Sequence, residues 1–373
     1  MKRLLLVGGG HSHVEVVRRF GIEPPAGVEV RLVSPDRHAS YSGMLPGLVA
    51  GHYAFDDCHI DLDALCRSAG TAFTRTAVEA IDLARGTARL SGGAELPYDV
   101  LSLDIGSTPA TAGAPGVAEH AVRVKPVSTL LEAWRALRAA SLESPQRVTV
   151  VGGGAGGVEL AFAMHQGLES AAIPGWRVSI VTDTPTILPG FPAAARRVFE
   201  RLAAARGLAL NCGDRVTEVL PGQLRLESGR RLESEWIVWT TFASAAGWIT
   251  ASGLATDARG FVTVDDTLQS PSHPNVFAAG DCASLANHAV PKSGVYAVRQ
   301  GPVLAANLRS ALGGGLLARY RPQRVALALI STGDRYAVAK WNGFTFKGAW
   351  VWRWKDRIDR RFMARYRAIA APS

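Results

Sequence analysis

The feature that most constrains this 373-residue chain is a pattern that occurs twice: an apolar run, three successive glycines and a helix-like stretch. The two occurrences occupy residues 3–20 and 147–164. A further β-branched run follows each of them, at 28–33 and 177–181, so each completes a strand–helix–strand unit with parallel strands. The sequence therefore predicts an α/β fold on two buried parallel sheets, with an internal duplication of a nucleotide-binding unit.

The internal glycine loop has the complete spacing Gly152-x-Gly154-x-x-Gly157 between a strand-like and a helix-like segment. Glycines allow a tight turn and a close approach to a pyrophosphate, which the amide groups and dipole of the following helix attract. An ordinary glycine-rich turn would not need all three spacings. We therefore expect a nucleotide here, with Asp183 after the next strand as a ribose contact. No arginine follows immediately to receive a 2′-phosphate, which favours NADH over NADPH.

The N-terminal loop keeps Gly8 and Gly10 but has His13 where a third glycine is expected. A bulky ring must then fit between the first strand and its helix. The acid for a ribose is displaced as well, because Ser34 ends the second strand and Asp36 comes two residues later. Taken alone, this loop is a weaker signal for nucleotide binding than the internal one.

Composition is that of an ordinary globular protein, with 47% hydrophobic and 20% charged residues. The apolar run near the N-terminus is too short for a secretory signal. The longest uncharged run, 236–256, is rich in Thr, Ser, Gly and Ala, and we expect strand and loop there. The four cysteines form no CxxC pair, which suits a reducing cytoplasm.

No metal site is expected. Five histidines lie close together in the sequence, but their spacings match no ligand motif and no paired carboxylates accompany them. These histidines are His11, His13, His38, His52 and His59.

The net charge of +9 is concentrated at the C-terminal end, which argues against a general affinity for nucleic acid. In the segment 345–373, eight Lys and Arg stand against two Asp, a net of +6. Apolar residues recur there every three or four positions, which predicts a basic amphipathic helix. The predicted apolar stripe consists of Trp350, Trp354, Ile358, Phe362, Tyr366 and Ile369.

Two interpretations of that stripe are equally open at this point. A basic amphipathic helix over 349–369 suits peripheral contact with an anionic membrane surface. The same stripe is also expected if the helix packs against the protein's own domains or against a dimer partner.

Residues 274–283, Pro-Asn-Val-Phe-Ala-Ala-Gly-Asp-Cys-Ala, resemble the FAD-ribityl motif of the pyridine nucleotide-disulfide oxidoreductase superfamily. The resemblance implies that Asp281 hydrogen-bonds the ribityl chain of FAD. Residues 98–107, Tyr-Asp-Val-Leu-Ser-Leu-Asp-Ile-Gly-Ser, are similar to a second motif of that superfamily. There Ala-Thr stands where this chain has Asp104 and Ile105. With the two glycine loops, the resemblance covers almost the entire chain.

The resemblance implies two Rossmann-like domains, with FAD at the N-terminal loop and NAD(P)H at the internal one. A discontinuous FAD-binding domain is expected over 1–110 and 260–318, with the NAD(P)H-binding domain, 111–259, inserted into it. A small C-terminal domain, 319–373, would combine the amphipathic helix with a β-hairpin. The hairpin is predicted from β-rich runs before Asn342-Gly343, a strong turn pair.

Within the superfamily, the chain resembles type II NADH dehydrogenases and, more closely, the FAD-dependent domain that some bacteria join to selenophosphate synthetase. The segments that carry the second likeness are 8–14, 41–47 and 354–363. The FAD contacts predicted for this chain are Gly8, Gly10, His13, Asp36, Ser42, Gly43, Gly106, Gly280 and Asp281.

The cysteine pattern bears on the electron acceptor. Disulfide reductases of the superfamily carry CxxxxC after the second strand, but residues 41–46 contain no cysteine. Sulfide:quinone oxidoreductases need a cysteine in their C-terminal part, and none follows Cys282. A quinone is therefore the expected acceptor for hydride that NAD(P)H delivers to the flavin.

Two candidate catalytic residues follow from the comparison with type II enzymes. Lys292 precedes the helix that approaches the flavin there, and it is expected either to steady charge on reduced flavin or to be an ordinary helix-start lysine. Glu159 resembles a glutamate near the nicotinamide, and its alternative role is that of a helix-dipole partner. Gly294-Val295 replaces the Ala-Gln of those enzymes.

The leading hypothesis is an NAD(P)H:quinone oxidoreductase, cytoplasmic and peripheral on the inner face of the cell membrane. A soluble NAD(P)H-dependent flavoprotein of selenium metabolism is the second, motivated by the selenophosphate synthetase likeness. The third is an FAD-bound sensor or assembly protein without turnover, motivated by His13. A homodimer is compatible with all three.

Overall fold

The computed structural model describes residues 1–109, 114–241, 243–323 and 325–370. The strands before residue 125 are β1 (Lys2–Val7), β2 (Val28–Ser34), β3 (His38–Ser40), β4 (His59–Asp61), β5 (Ala72–Arg75), β6 (Val78–Asp82), β7 (Thr87–Leu90), β8 (Glu95–Pro97), β9 (Val100–Leu103), β10 (Thr108–Pro109) and β11 (Val122–Arg123). The helices in this part are α1 (His11–Ile22), α2 (Leu45–Val49), α3 (Phe55–Cys58), α4 (Leu62–Ser68) and α5 (Val117–His120).

The middle of the chain contains the second nucleotide-binding unit. Its helices are α6 (Val127–Glu143), α7 (Ala155–Ser170), α8 (Ala193–Ala205) and α9 (Gly247–Ala251). Its strands are β12 (Arg147–Val151), β13 (Arg177–Thr182), β14 (Ala209–Cys212), β15 (Val216–Leu220), β16 (Gln223–Leu226), β17 (Arg231–Glu233), β18 (Trp236–Trp239) and β19 (Ala243–Ser244).

The last part returns to the first unit and then forms the C-terminal region. Its strands are β20 (Val262–Val264), β21 (Val276–Ala278), β22 (Ala283–Leu285), β23 (Ala328–Ser331), β24 (Ala337–Trp341) and β25 (Phe344–Gly348). A 3-10 turn occupies Gly280–Cys282, and the helices are α10 (Gly294–Gly313) and α11 (Ala349–Ala370).

Two five-stranded parallel sheets confirm the predicted α/β class. The first has the order β21-β9-β1-β2-β5, and the second β11-β18-β12-β13-β14. Because β21 pairs with β9, segments from distant parts of the chain form one sheet. After the basic residues that begin them, the strands β1 and β12 are buried and mostly apolar, as expected of strands covered by helices on both faces.

Each sheet has its own hydrophobic core. The core of the first sheet includes Ile249 and Leu254, which lie ahead of the predicted boundary at 260, and also Phe362 and Met363 of α11. The core of the second sheet draws on α6, α7 and α8. The predicted domain boundaries remain predictions, but α11 clearly packs on the first unit.

The C-terminal hairpin has a third strand. The strands β23, β24 and β25 form one antiparallel sheet, and Asn342-Gly343 makes the turn between β24 and β25. Both turn residues have positive φ, 46° and 81°, which is the conformation that a tight two-residue hairpin turn requires. The predicted turn is therefore confirmed, within a larger sheet.

The predicted apolar stripe of α11 is wrong in its first half. Val351, Lys355, Asp359 and Met363 are buried, whereas Trp350 and Ile358 are 50% and 39% exposed. Lys355 and Asp359 were excluded from the stripe because they are charged, yet they lie on the inward face four residues apart, as helix geometry allows. Their burial is compensated by a 2.7 Å ion pair between them. Phe362 and Tyr366 are buried, as the stripe predicts, and the side chain of Ile369 lies outside the described residues.

None of the helices in the described ranges is long and apolar enough to span a membrane.

The inward face of α11 should contribute to stability. Met363 is 1% exposed, so Met363→Ala should lower the free energy of unfolding by about 2–4 kcal/mol through lost burial and a cavity. Ile358→Ala is the matched control, since it removes a similar apolar side chain from the outer face, and we expect a loss under about 1 kcal/mol. Thermal denaturation followed by circular dichroism checks this. Equal losses for the two variants would contradict the orientation of α11.

Candidate active site

The N-terminal glycine loop is held against the end of β9. Gly8 has φ of 96°, and the amide of Gly10 donates to the carbonyl oxygen of Asp104 at 3.2 Å. A Cβ on Gly8 would clash with the backbone of Asp104, and one on Gly10 would clash with its carboxylate. The two predicted glycines are therefore required by their contact with a third strand, which leaves the loop backbone bare at the N-terminus of α1.

His13 fits between strand and helix because its ring makes two buried hydrogen bonds. Nδ1 lies 2.7 Å from the carbonyl oxygen of Gly8, and Nε2 lies 2.8 Å from Oγ of Ser102 on β9. A carbonyl only accepts, so Nδ1 carries the proton and Nε2 accepts from the serine hydroxyl. Burial lowers the pKa of His13 to about 4, which keeps the ring neutral. His13 thus ties the loop to β9 where a glycine would leave space.

The second half of the predicted FAD site approaches from the far end of the chain. Gly280, with φ of 69°, begins the 3-10 turn, and its amide donates to Oε1 of Gln300 at 2.6 Å. The carboxylate of Asp281 accepts a 2.8 Å bond from Nζ of Lys125. The hydroxyl of Ser107, next to Gly106, lies 3.4 Å from both groups. Lys125 was not found from the sequence, because no motif marks it and its partner lies 156 residues away.

The remaining predicted FAD contacts lie around the same edge of the first sheet. Asp36 is half-buried just beyond β2, where it accepts a 3.4 Å bond from Ser128. Ser42 is exposed, and a Cβ on Gly294 at the start of α10 would come within 3.1 Å of its hydroxyl. An alanine at this position would require the hydroxyl of Ser42 to move by a few tenths of an ångström. The carbonyl of Gly43 accepts a bond from Lys355.

The internal loop opens onto a cavity of about 260 Å³. Gly152 has φ of 125°, and a Cβ on Gly157 would clash with the carbonyl of Gly152. A Cβ on Gly154 would meet open space, which is where a pyrophosphate must approach the backbone. The lining includes all three loop glycines at 152–154, the ends of β12, β13 and β18, and Arg215. The cavity therefore lies at the loop where the motif predicts a dinucleotide.

Two charged residues line this cavity beside the end of β13. Asp183 is exposed there, in the position predicted for a ribose contact. Arg215 was not singled out from the sequence, because it comes from the segment before β15 and not from the strand end. Its guanidinium is paired with the carboxylate of Glu227 at 2.9 Å.

Glu159 lies on α7 where the two units and the C-terminal region meet. Its Oε1 accepts a 2.8 Å bond from the amide of Ser331 on β23. Burial raises the pKa of Glu159 to about 7, although the nearby charge of Lys355 and the bond from Ser331 oppose the rise. A carboxyl group of this kind gains and loses a proton near neutral pH.

Lys355 is the buried cation of the same cluster, and sequence reasoning missed it. Its Nζ donates to the carbonyl of Gly43 and to Oδ2 of Asp359 at 2.7 Å. Burial opposes its charge, but the carboxylates of Glu159 and Asp359 outweigh burial and hold the pKa of Lys355 above its ordinary value. The hydroxyl of Tyr41 donates to the other oxygen of Asp359 at 3.1 Å. We call Glu159, Lys355 and Asp359 the junction cluster.

Lys292 lies apart from the junction cluster. Its ammonium donates to the carbonyl of Ala283 and sits 4.0 Å above the ring of Phe261. Burial lowers the pKa of Lys292. Its role towards a flavin stays a prediction.

The cysteines are all free, and burial raises the pKa of Cys58, Cys66 and Cys282 to about 12. Thiols of this kind are poor nucleophiles at neutral pH. In the described ranges, no three His, Cys, Asp or Glu side chains come together as a possible metal site.

Two glycine loops of the dinucleotide-binding kind, at the ends of two parallel sheets, are the arrangement of a two-dinucleotide oxidoreductase. The model of the pyridine nucleotide-disulphide oxidoreductase family matches residues 2–301, and the chain belongs to that family. It is accordingly an FAD-dependent NAD(P)H oxidoreductase.

Relatives and solved structures agree with this class. An NADH dehydrogenase-like protein of Mycobacterium tuberculosis is 28% identical over 304 residues, which cover 76% of this chain and 73% of the relative. The alternative NAD(P)H-ubiquinone oxidoreductase C1 of Arabidopsis thaliana is 27% identical over 327 residues, with 76% and 62% coverage. The structure of NDH2 from Plasmodium falciparum in complex with NADH superimposes with a TM-score of 0.83 at 14% identity, covering 97% of each chain. That structural likeness shows the fold.

Gly157→Ala should impair nicotinamide binding while FAD is retained. The added Cβ would meet the carbonyl of Gly152 and lie 2.6 Å from Oγ1 of Thr240, so the loop must shift. We expect the rate of anaerobic flavin bleaching at low NADH to fall by about tenfold or more. Gly156→Ala is the matched control, because a Cβ there meets open space. Unaltered bleaching in Gly157→Ala would rule out a nucleotide at this loop.

Proposed function

We propose that this protein is an NAD(P)H:quinone oxidoreductase. The observation that carries the proposal is the junction cluster: Glu159 on α7 accepts a bond from Ser331 on β23, and Lys355 on α11, whose charge acts on Glu159, donates to Gly43 of the FAD-side loop. FAD held at the N-terminal loop would supply the hydride-accepting chemistry and the transfer of two electrons to an acceptor. A quinone takes up two protons with two electrons, so a carboxyl group with a pKa near neutrality suits this acceptor.

Glu159 and Lys355 have different roles in proton delivery. Glu159 holds a proton for part of the time near neutral pH, since its pKa is about 7. Lys355 stays charged, and its ammonium joins the loop at Gly43 to Asp359 on its own helix. The positive charge favours the carboxylate that remains after Glu159 gives up its proton. Glu159 can therefore act as a proton donor near neutral pH.

The state of the cysteines supports a non-thiol acceptor. The four cysteines, all within the described ranges, form no disulfide, and Cys58, Cys66 and Cys282 are buried thiols that ionise only far above neutral pH. Electron transfer through a dithiol, from which the family takes its name, is not supported by these residues. The relatives that reduce ubiquinone support a quinone as the alternative.

The outer face of the C-terminal region supports contact with a membrane. Trp341, Phe344 and Trp350 are 53%, 65% and 50% exposed, and Ile358 is 39% exposed. Neighbouring aromatic rings continue this surface. The ring centroids are 6.5 Å apart in the pair Phe344–Phe346, 6.2 Å in Phe346–Trp350 and 6.4 Å in Trp350–Trp354. We call this surface the aromatic patch.

The aromatic patch is bordered by cations. Arg353, Arg357 and Arg361 are exposed on the same helix. Aromatic side chains flanked by arginines suit the interface of an anionic bilayer, where a lipid-soluble quinone is found. We propose that the protein binds the inner face of the cell membrane through this patch and takes its quinone there.

The internal cavity supports NADH as the preferred donor. Asp183 presents a carboxylate for a ribose hydroxyl, and it would repel a 2′-phosphate. The charge of Arg215, the cation in the cavity lining, is already paired with Glu227.

Glu159→Gln should slow the reduction of quinone without slowing the reduction of the flavin by NADH. We expect quinone turnover of the wild type to fall as pH rises through about 7, because the protonated acid is the donor. The variant should lose this dependence and turn over at least about tenfold more slowly, while NADH still bleaches its flavin at the normal rate. Glu169→Gln, on the exposed side of the same helix, is the matched control.

A panel of acceptors under anaerobic conditions tests the acceptor itself. Quinone analogues should reoxidise the flavin, and selenium compounds and disulfides should do so slowly. A fast reaction with a selenium compound and none with quinones would overturn the proposal in favour of selenium metabolism. A flavin that no acceptor reoxidises would favour a sensor without turnover.

The aromatic patch can be tested by sedimentation with vesicles that contain anionic lipid. Phe344→Ser with Trp350→Ser should lower the bound fraction by about tenfold or more, since about 2 kcal/mol of transfer free energy is lost per buried aromatic ring. The control pair is Ile22→Ser with Leu142→Ser, which are 66% and 71% exposed elsewhere. If the patch variant instead turns a dimer into a monomer and vesicle binding is unchanged, the patch is a dimer interface and the membrane proposal fails.

A further inference from the structure

The first residue after β9 closes the N-terminus of α1 with its own side chain. Oδ2 of Asp104 accepts the backbone amide of Ser12 at 2.8 Å and that of His13 at 3.0 Å. The carboxyl group is 2% exposed. The first amides of a helix are the groups that attract an anion at a glycine loop. In this unit, a carboxyl group of the protein already holds two of them.

The duplicated unit provides an internal comparison. Thr240 follows β18 as Asp104 follows β9, and their amides donate to Val151 and Val7, respectively, at the same distance of 2.9 Å. Oγ1 of Thr240 donates to the carbonyl of Val151 at 2.8 Å and not to α7. Of the two units, only the N-terminal one therefore has an acidic residue after this strand; the internal unit has a threonine there.

The carboxyl group of Asp104 is enclosed by the predicted FAD contacts. A Cβ on either Gly10 or Gly280 would clash with it, so the two glycine segments close over it from opposite sides. The pyrophosphate of a dinucleotide bound to this loop must come to the same helix end. An ionised Asp104 would place two anions at one helix N-terminus, whereas the neutral acid would not.

The surroundings of Asp104 allow its carboxyl group to gain or lose a proton near neutral pH. Burial raises the pKa of Asp104 to about 7, against the amide bonds from His13 and Ser12. The negative charge of Asp281 raises it further and the positive charge of Lys125 lowers it, and these two form a 2.8 Å pair.

Apart from the ion pair of Lys125 and Asp281, the titratable groups described next to Asp104 are neutral. On α1, burial lowers the pKa of His11 and of His13 to about 4. On the 3-10 turn, the thiol of Cys282 has a pKa of about 12. Asp104 is thus the group whose charge responds to the arrival of an anion.

We propose that Asp104 is a positioning residue for FAD that takes up a proton from solvent when the pyrophosphate binds at the N-terminus of α1. The neutral acid keeps one oxygen for the amides of Ser12 and His13 and offers a donor from the other. The inference uses the assignment of FAD to the N-terminal loop and goes beyond the proposed quinone chemistry. Nothing in it depends on which acceptor the flavin reduces.

The sign of the pH dependence follows from linkage. Binding of an anion favours the protonated form, so FAD affinity falls as rising pH ionises Asp104 in the free protein. For an acid with pKa near 7, raised further in the complex, we expect about tenfold weaker binding between about pH 6 and about pH 8.

The test uses the holoenzyme at constant ionic strength. Free FAD is measured by its fluorescence after stepwise dilution at each pH, for the wild type, Asp104→Asn and Asp99→Asn. Asp104→Asn keeps the shape and the amide acceptor without the charge, so it should hold FAD at high pH as tightly as the wild type does at low pH. Asp99→Asn neutralises an exposed carboxylate just before β9, paired with Arg3, and should retain the wild-type profile.

Infrared difference spectra provide a second measurement on the same samples. The wild-type holoenzyme should show the carbonyl band of a protonated carboxylic acid at about pH 8, and this band should be missing in Asp104→Asn. If Asp104→Asn does not retain FAD, Asp104→Ala, which places the alanine of the family motif there, carries the same prediction of a flat profile.

Three outcomes would overturn the inference: a wild-type affinity that does not change with pH, a variant with the wild-type slope, or loss of FAD in both variants at every pH. The last would show that a carboxyl group is required for binding. A protein that shows the predicted FAD profile but no quinone turnover would refute the proposed function and leave this inference standing.

Discussion

The close approach of a third strand to each glycine loop is the constraint on which the rest of the structure depends. The loop at Gly8 is pressed against the backbone of Asp104, and the loop at Gly152 is pressed against Thr240. Neither contact leaves room for a Cβ, so the glycines serve the packing of the loop as well as the approach of a ligand. Once the loops are held in this way, the helices α1 and α7 start at a defined point and aim their N-termini at the nucleotide edges of the two sheets.

The two units differ in the residues that pack around the glycine loop. In the internal unit, Gly157 lets the helix pack directly on the loop, and the helix end opens onto a cavity. In the N-terminal unit, the ring of His13 replaces that glycine and is bonded to the loop and to Ser102. The larger side chain of His13 is accommodated because its ring is hydrogen-bonded on both sides. The first glycine of each loop has positive φ, 96° at Gly8 and 125° at Gly152.

Local patterns in the sequence predicted the parts of the structure that local forces determine. The spacing of Gly152, Gly154 and Gly157 marks a strand, a turn and a helix, and Asn342-Gly343 marks a hairpin turn, because each depends on the conformation of a few consecutive residues. Lys125 and Lys355 were missed because their partners, Asp281 and Gly43, are 156 and 312 residues away. The apolar stripe of α11 was misplaced for a related reason, since a buried ion pair looks like exposed charge in the sequence.

The helix α11 connects the chemistry of the interior to the surface. Positions four residues apart share one face, so Val351, Lys355 and Asp359 point inward, while Trp350, Trp354 and Ile358, one position earlier in each turn, face outward or sideways. A surface that holds the outer aromatic residues therefore also fixes the inner lysine and aspartate, because they are on the same rigid turns. Through Lys355 the helix reaches Gly43 in the first unit, and through the charge of that lysine it acts on Glu159 in the second. The helix α11 therefore carries both Lys355, whose charge acts on Glu159, and the exposed aromatic residues of the outer face.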